Sequence, residues 1–493
     1  MKNTMKIKST LFAMTIVFST VNVISLEAAT PKDWNFTVDT AIKGGLPSIS
    51  GETKGDAKGL DYEIVKCLKD GTTQPLTKAS LPPAKSMKLE MPSVDKETFM
   101  KVYITEQGTT EPIFEWSTFV VPNGTDIMKH KPAADYAKPK DFKEFWDKAK
   151  KELAQVQGQP VMTRIPEKDT ETGMFWRVDV PSVAETTVSA WYYVPKDAFD
   201  ADGKVVKKYP ALQIMPGYGA EEPPFDRTKE GLITLSVNPR NHGPSRDFWV
   251  SPVDHMWYNI DQPESYYYKL AFMDGLRFIH FLFDQPEVDA KRVATEGGSQ
   301  GGLFAIAVAA LEPRIAAVCS NVTAFSSYAD GMTMARIGHH TNFAKVFREE
   351  KDAAKLKVRK RSLAMTDGAN LATMVKCPTQ INMGDIDPVC PYVAGIGVLN
   401  SLASKNKEFH IYANTPHAVP NEMRANNAAW LKKYIKLGTA TPVKKTDVKV
   451  TAKKDKAKSQ AKKNNAKAKT TKKAKKKAVP TPCPCEKYRL GEE

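Results

Sequence analysis

The chain has 493 residues, of which 41% are hydrophobic and 26% charged, and its formal net charge is +16. This length is too great for one ordinary domain and predicts several units. The charge is unevenly distributed, because residues 444–493 alone carry 18 Lys and Arg against 5 Asp and Glu. The remainder of the chain is therefore close to neutral, which argues against a folded body that attracts anions through its overall electric field.

The first 29 residues have the pattern of a secretory signal peptide. Lys2, Lys6 and Lys8 precede an apolar run at 11–24, and small residues follow it. The run is short and interrupted by Thr, Ser and Asn, so it does not predict a transmembrane anchor, and no later segment does. We therefore predict that residues 1–29 are removed from a secreted or periplasmic protein that has no integral membrane span.

Residues 30–125 alternate between short strand-like stretches and Gly, Pro or Asp, as at 61–65, 86–91 and 99–104. Such spacing is typical of a small all-β sandwich. A structural partner for the following domain is its simplest role. Carbohydrate binding is the alternative, although no ring of aromatic residues favours it.

From residue 133 to 437 the pattern changes to alternating helices and strands, which predicts an α/β fold. A helix is expected at 141–155, a strand at 187–194 and a largely apolar helix at 264–283. The insert at 323–372 is rich in Met, His and charge, and we expect it to pack over the site as a partial lid.

The most informative motif is Gly297-Gly298-Ser299-Gln300-Gly301, between a strand-like stretch and an Ala-rich helical one. A sharp strand-to-helix turn exposes the serine hydroxyl, and glycines allow strand and helix to approach closely. The motif thus predicts a nucleophile elbow with Ser299 as the nucleophile.

A serine nucleophile requires a base and an acid, which follow it in the chain in an α/β-hydrolase. The predicted strand at 379–383 ends in a loop with Asp385 and Asp387, and we favour Asp387 as the acid. His417 follows the next predicted strand, at 408–412, and is the expected base. Each aspartate could instead be a simple turn former before Pro388.

Two backbone N–H groups would form the oxyanion hole, one from the residue after the nucleophile and one from an earlier loop. Gln300 supplies the first. The second candidate is Tyr218, in the Pro216-Gly217-Tyr218-Gly219 turn that follows a predicted strand at 209–215. Taken alone, this turn could equally be an ordinary Gly-Pro turn.

The combined pattern resembles the acetyl xylan esterase/cephalosporin C deacetylase family of α/β-hydrolases over about residues 135–436. The resemblance rests on Asp141-Phe142-Lys143-Glu144-Phe145-Trp146, Gly217-Tyr218-Gly219, Gly298-Ser299-Gln300-Gly301-Gly302, Asp387 with Val389-Cys390-Pro391, and His417. It implies a triad of Ser299, Asp387 and His417, an oxyanion hole from the amides of Tyr218 and Gln300, and no cofactor or metal.

Two positions depart from the family pattern. Arg240-Asn241-His242-Gly243 stands where the family usually has Arg-Gly-Gln, and Ala418 stands where it usually has Glu after the catalytic His. His242 is expected to be a loop residue that fills the space of the different motif, with substrate contact as the alternative.

Residues 438–493 are predicted to be a disordered, Lys-rich tail, because they contain too few apolar residues to fold. Such a tail could bind an anionic polymer or the cell envelope, or have no partner. The six cysteines, at 67, 319, 377, 390, 483 and 485, permit disulfides but have no metal-site spacing.

These observations together predict a secreted serine carbohydrate esterase that removes acetyl groups from acetylated sugars or xylan-type polysaccharide. A homo-oligomer is compatible with the sequence. The alternatives are an α/β-hydrolase acting on another ester or a peptide, and a catalytically inactive cell-envelope binding protein.

Overall fold

The computed structural model describes residues 33–42 and 44–443. The predicted signal peptide and the tail from residue 444 onward lie outside these described residues. Residues 438–443, which we predicted as tail, continue the folded body, because Thr441–Pro442 forms a short strand against its main sheet. Within the described residues, none of the helices combines the length and the apolar character needed to cross a membrane.

The N-terminal part of the described chain is entirely β. Its strands are β1 (Trp34–Asp39), β2 (Ser48–Thr53), β3 (Lys58–Cys67), β4 (Thr73–Ala84), β5 (Ser86–Glu90), β6 (Thr98–Glu106) and β7 (Pro112–Val120). They form two antiparallel sheets, ordered β1-β2-β5 and β4-β3-β6-β7. Side chains from both sheets, among them Phe36, Ile49, Val102 and Trp116, share one apolar core, as in a sandwich.

A large mixed sheet forms the second part of the molecule. Its strands are β8 (Val161–Arg164), β9 (Gly173–Ser182), β10 (Thr186–Pro195), β11 (Lys207–Met215), β12 (Ile233–Asn238), β13 (Val288–Gly298), β14 (Ala317–Asn321), β15 (Thr379–Gly384), β16 (Lys407–Tyr412) and β17 (Thr441–Pro442). The order is β16-β15-β14-β13-β11-β12-β10-β9-β8, with β17 paired to β11. Strands β11 to β16 run parallel, and β8 to β10 extend the sheet in antiparallel fashion.

Helices cover both faces of this sheet. They are α1 (Phe142–Ala154), α2 (Tyr267–Asp284), α3 (Gln300–Leu311), α4 (Tyr328–Met334), α5 (His339–Glu349), α6 (Ala353–Thr366), α7 (Gly368–Ala372), α8 (Tyr392–Ser401) and α9 (Asn421–Ile435). Helices α2 and α3 pack in the largest apolar core, whereas α9 packs on the opposite face through Trp430 and Leu431. Every residue of α3 is buried, which explains why this helix has no polar stripe.

The α/β prediction and the all-β region before it are therefore confirmed, and the sheet topology fixes where a site can form. Parallel strands present their carboxyl ends at one edge of a sheet, where ligands usually bind. The loops after β11, β13, β15 and β16 contain Tyr218, Ser299, Asp387 and His417, respectively. All four predicted positions thus lie along the same edge.

Candidate active site

Ser299 occupies a sharp turn between β13 and α3. Its backbone angles are φ 58° and ψ −121°, a conformation that residues with a side chain rarely adopt. Glycine is required at positions 297 and 301, because a side chain there would collide with backbone atoms. A Cβ at Gly297 would lie 2.4 Å from the carbonyl carbon of Gly301, and a Cβ at Gly301 would lie 2.2 Å from the carbonyl oxygen of Met215. The small residues of the motif therefore allow the tight turn that exposes Ser299.

His417 joins Ser299 to Asp387 through both of its ring nitrogens. The Nε2 atom lies 2.9 Å from Ser299 Oγ, and Nδ1 lies 2.8 Å from Asp387 Oδ2. A carboxylate oxygen accepts the hydrogen bond from Nδ1, so in the neutral ring, the form that acts as a base, the proton sits on Nδ1 and the Nε2 lone pair faces the serine hydroxyl. Burial is the largest single influence and lowers the pKa of His417, but the contributions of Asp387 and Cys390 together outweigh it and raise that pKa well above its ordinary value.

The Asp387 carboxylate is held rigidly. Its side chain has no solvent exposure. Its second oxygen, Oδ1, accepts the N–H groups of Val389 and Cys390, each at 2.8 Å. The orientation of the carboxylate is therefore set by the backbone of the loop in which it lies.

Asp385, the other candidate acid, lies elsewhere. Its carboxylate accepts the N–H of Thr415 at 3.1 Å, in the loop that leads to His417. Burial raises the pKa of Asp385 to about 6. The two loops approach so closely that a Cβ at Gly384 would lie 2.1 Å from the Thr415 carbonyl oxygen. Asp385 thus links the two loops, and only Asp387 contacts His417.

The two predicted oxyanion-hole donors lie just after the carboxyl ends of two neighbouring parallel strands. Gln300 is the first residue of α3, after β13, and Tyr218 lies in the loop after β11, which pairs with β13. Among the described residues, neither backbone N–H donates to another protein group. Both donors are consequently free for a ligand, and the positive end of α3 favours negative charge at this point.

The side chain of Gln300 is the centre of a buried hydrogen-bond network that was not predicted from the sequence. Its Oε1 accepts from His255 Nε2 at 3.1 Å and from the Tyr268 hydroxyl at 2.9 Å. Its Nε2 donates to His242 Nε2 at 3.0 Å, so the His242 proton lies on Nδ1, which donates to the Arg240 carbonyl. Burial lowers the pKa of His242 to about 3 and that of His255 to about 4, and both rings are therefore neutral.

His242 therefore has a more specific place than the loop residue we expected. It is fully buried, which also removes it from direct contact with substrate. Its Nε2 atom accepts a hydrogen bond from the side chain of Gln300, the residue that follows the nucleophile. In the same motif, Arg240 forms a buried ion pair with Asp274 at 2.8 Å and fixes the base of the loop.

Tyr218 is anchored on the other side of the same network. Its hydroxyl donates to Asp254, and its ring lies 4.1 Å from the His255 ring, measured between centroids. Burial, reinforced by the Asp254 charge, raises the pKa of Tyr218 far above its ordinary value, so the phenol stays protonated. The loop is thus fixed by side-chain contacts that leave its backbone amide unused.

Cys390 is a second residue of this site that was not predicted. Donor atoms of Asp387, Cys390 and His417 lie within 4.8 Å of one another, a spacing that a metal ion could bridge. Both nitrogens of His417 are, however, already paired with Asp387 and Ser299. Burial raises the pKa of the Cys390 thiol to about 11. Within the described part of the chain, the cysteines 67, 319, 377 and 390 are all free thiols.

The insert at 323–372 folds mainly as helices α4 to α7. Phe325 lies just before α4, and its ring stacks on His339 with 3.9 Å between centroids. The same ring lies 6.0 Å from that of Tyr218. The insert thus lies against the loop with the predicted oxyanion donor, as expected, and its action as a lid stays a prediction.

Comparison with known proteins gives a consistent result. The family model for acetyl xylan esterases (AXE1) matches residues 125–434. Acetyl esterase Axe7A of Xylanibacter ruminicola is 27% identical over 318 residues, which cover 60% of this chain and 68% of that protein.

Two solved structures share the fold. The acetyl xylan esterase from Paenibacillus sp. R4 superposes with a TM-score of 0.56 at 23% identity, over 62% of this chain and 98% of its own. Acetyl xylan esterase 1 from Thermoanaerobacterium sp. JW/SL YS485 gives a TM-score of 0.54 at 21% identity, over 62% and 97% of the two chains.

Proposed function

The chain belongs to the acetyl xylan esterase family and is a carboxylic ester hydrolase; on that premise we propose that it removes acetyl groups from acetylated sugars or xylan-type polysaccharide. The observation that carries this proposal is the pair of contacts through which His417 joins Ser299 and Asp387, 2.9 and 2.8 Å long. The names of the similar proteins, an acetyl esterase and two acetyl xylan esterases, support acetyl as the acyl group.

The proposed reaction is a two-step acyl transfer. His417 Nε2 takes the proton of Ser299 as Oγ attacks the acetyl carbonyl carbon, and Asp387 stabilises the imidazolium that forms. The backbone amides of Gln300 and Tyr218 would bind the oxyanion. His417 then gives its proton to the departing sugar oxygen, which leaves an acetyl group on Ser299. Water, activated by the same histidine, releases acetate and restores the enzyme.

Substitution of the nucleophile tests this mechanism. Ser299→Ala should abolish hydrolysis of an aryl acetate and leave the fold intact, and His417→Ala should have a similar effect. Because triad members act as a unit, the double variant should be scarcely slower than either single variant. His410→Ala, on the neighbouring strand β16, is the matched control and should keep wild-type turnover. Near-normal turnover by Ser299→Ala would refute the acyl-enzyme.

The acyl group is tested by a series of aryl esters with one leaving group. Tyr218 and Gln300 border the position where the acyl chain would lie, and Phe325 packs beside Tyr218. We expect kcat/KM for acetate to exceed that for butyrate at least roughly tenfold, with octanoate barely turned over. A maximum at butyrate or longer would favour an esterase for another substrate class. Absence of hydrolysis with every ester would favour an inactive binding protein, and turnover of a peptide amide would favour a peptidase.

We further propose export and retention at the cell surface. Residues 1–29 have the pattern of a signal peptide, so the mature protein would be secreted or periplasmic. The Lys-rich tail would then bind an anionic polymer or the cell envelope by salt-sensitive attraction. Mass spectrometry of the exported protein tests the first point, because an intact Met1 at its N-terminus would contradict signal cleavage.

A further inference from the structure

The N-terminal sandwich contacts the loop that holds Asp387. Trp116, on β7, is fully buried, and its indole N–H donates to the carbonyl oxygen of Asp385 at 3.1 Å. The next side chain, Ile386, packs against the apolar core of the sandwich. The two residues directly before Asp387 are therefore held by a part of the molecule outside the main sheet.

Arg336 forms hydrogen bonds with the same loop and with β7. Its guanidinium donates to the carbonyl oxygen of Glu115 on β7 and, at 3.4 Å, to that of Ile386. Its backbone N–H donates to the Pro388 carbonyl at 2.8 Å. Burial lowers the pKa of Arg336, while the nearby charges of Glu115 and Asp387 act in the opposite direction. Carbonyl groups on both sides of Asp387 are thus engaged by Trp116 or Arg336.

The end of the loop is attached to β7 as well. Tyr392, the first residue of α8, accepts the backbone N–H of Phe119 through its hydroxyl at 3.3 Å. The same hydroxyl lies 3.3 Å from Thr118 Oγ1. The segment from residue 385 to 392 is consequently bound to one strand of the sandwich at its beginning and at its end.

The β7 groups in these contacts belong to a part of the chain that the family model does not cover, whereas Arg336 lies within the match. The match begins at residue 125, whereas β7 ends at Val120. The two solved acetyl xylan esterases superpose over 97 to 98% of their own length on only 62% of this chain.

We infer that the N-terminal sandwich is a positioning element for the catalytic acid, with Trp116 and Arg336 as the residues that hold the Asp387 loop in register with His417. The inference rests on the proposed role of Asp387 in the triad. Because the carboxylate is oriented by its own loop backbone, a small shift of that loop misaligns it with His417, and misalignments of this kind are costly in rate.

The test compares two tryptophans of the same sandwich core. Trp116→Phe keeps an aromatic ring but leaves the Asp385 carbonyl without its donor, and kcat for an aryl acetate should fall roughly tenfold with KM nearly unchanged. The acidic limb of kcat/KM should move to lower pH, because a weaker contact with Asp387 raises the pKa of His417 less. Trp34→Phe, at a buried site stacked on Phe36, should lose stability without either kinetic change.

Three results would overturn the inference. One is wild-type kcat in folded Trp116→Phe, and another is an equal loss of kcat in Trp34→Phe, which would indicate general loosening. If Trp116→Phe fails to fold, Arg336→Lys is tested in its place. This variant keeps a positive charge but cannot donate to the carbonyl oxygens of Glu115 and Ile386 at the same time. Wild-type kcat in Arg336→Lys is the third result that would overturn the inference. Ser299→Ala is measured alongside to distinguish the two failures. Activity in that variant would refute the proposed function on which the inference rests, whereas an inactive Ser299→Ala together with wild-type kcat in Trp116→Phe would refute the inference alone.

Discussion

Replacement of His242 by Gln should make the protein more resistant to acid. His242 is buried and neutral, with its pKa lowered to about 3 from an ordinary value of 6.5. Between these two values the unfolded chain binds a proton at this residue and the folded chain does not. The free energy of unfolding therefore falls as the pH falls, by about 1.4 kcal/mol per pH unit for this group. Glutamine does not titrate, so His242→Gln removes this pH-dependent decrease in the free energy of unfolding.

The magnitude follows from the pH interval. From pH 6.5 to pH 5, protonation of His242 in the unfolded chain should lower the free energy of unfolding of the wild-type protein by about 2 kcal/mol. His242→Gln should not show this decrease. The amide oxygen of glutamine can accept from Gln300 Nε2, as the imidazole does, so turnover should be largely kept. The other buried histidines with lowered pKa, at 255, 339 and 340, remain in the variant, so acid sensitivity should be reduced and not abolished.

Urea unfolding at pH 7.5 and at pH 5 measures the effect. The difference in unfolding free energy between His242→Gln and wild type should change by about 2 kcal/mol in favour of the variant as the pH falls. His410→Gln is the matched control, because it makes the same substitution at a histidine whose side chain is 35% exposed. A pH-independent difference for His242→Gln would refute the neutral, buried assignment of this residue.

Three further outcomes are expected. Asp387→Asn should keep the fold but lower kcat by roughly three to four orders of magnitude, as measured by steady-state kinetics, and a loss below tenfold would contradict its role as the acid. Gly297→Ala should strongly destabilise the protein in urea, because the added methyl meets the backbone of Gly301, whereas Gly217→Ala meets no atom within 4 Å and should not. Deletion of residues 444–493 should leave aryl acetate hydrolysis unchanged and weaken retention on an anionic column at low salt, and equal retention would leave the tail without this role.

The sequence predicted those parts of the site that depend on local chain geometry. The elbow around Ser299 was recognisable because its glycines, the strand before it and the helix after it are contiguous. The order of acid and base followed from the alternation of strands and loops. The sequence favoured Asp387 over Asp385 as the acid, but only the structure shows which carboxylate contacts His417, because two residues in one turn differ in the direction of their side chains.

Contacts between distant segments could not be predicted from a single sequence. His242 and His255 reach Gln300 across separations of 58 and 45 residues, and neither lies in a motif that specifies such a partner. Trp116 is 269 residues from its acceptor at Asp385. The one signal available was the departure from Arg-Gly-Gln at residues 240–242. It indicated that the environment of this loop is changed, but it did not identify Gln300 as the hydrogen-bond partner of His242.

The free thiols have a consequence for how the chain must fold in the compartment proposed for it. An oxidising environment favours disulfides, and a thiol reacts as its thiolate. In the folded protein, burial protects Cys67, Cys377 and Cys390 by raising their pKa to about 11, about 12 and about 11. Before the core has formed, these thiols are exposed to solvent and lack that protection. Folding therefore competes with oxidation, and heating in air should inactivate the protein irreversibly through mispaired cysteines, whereas a reductant should allow recovery.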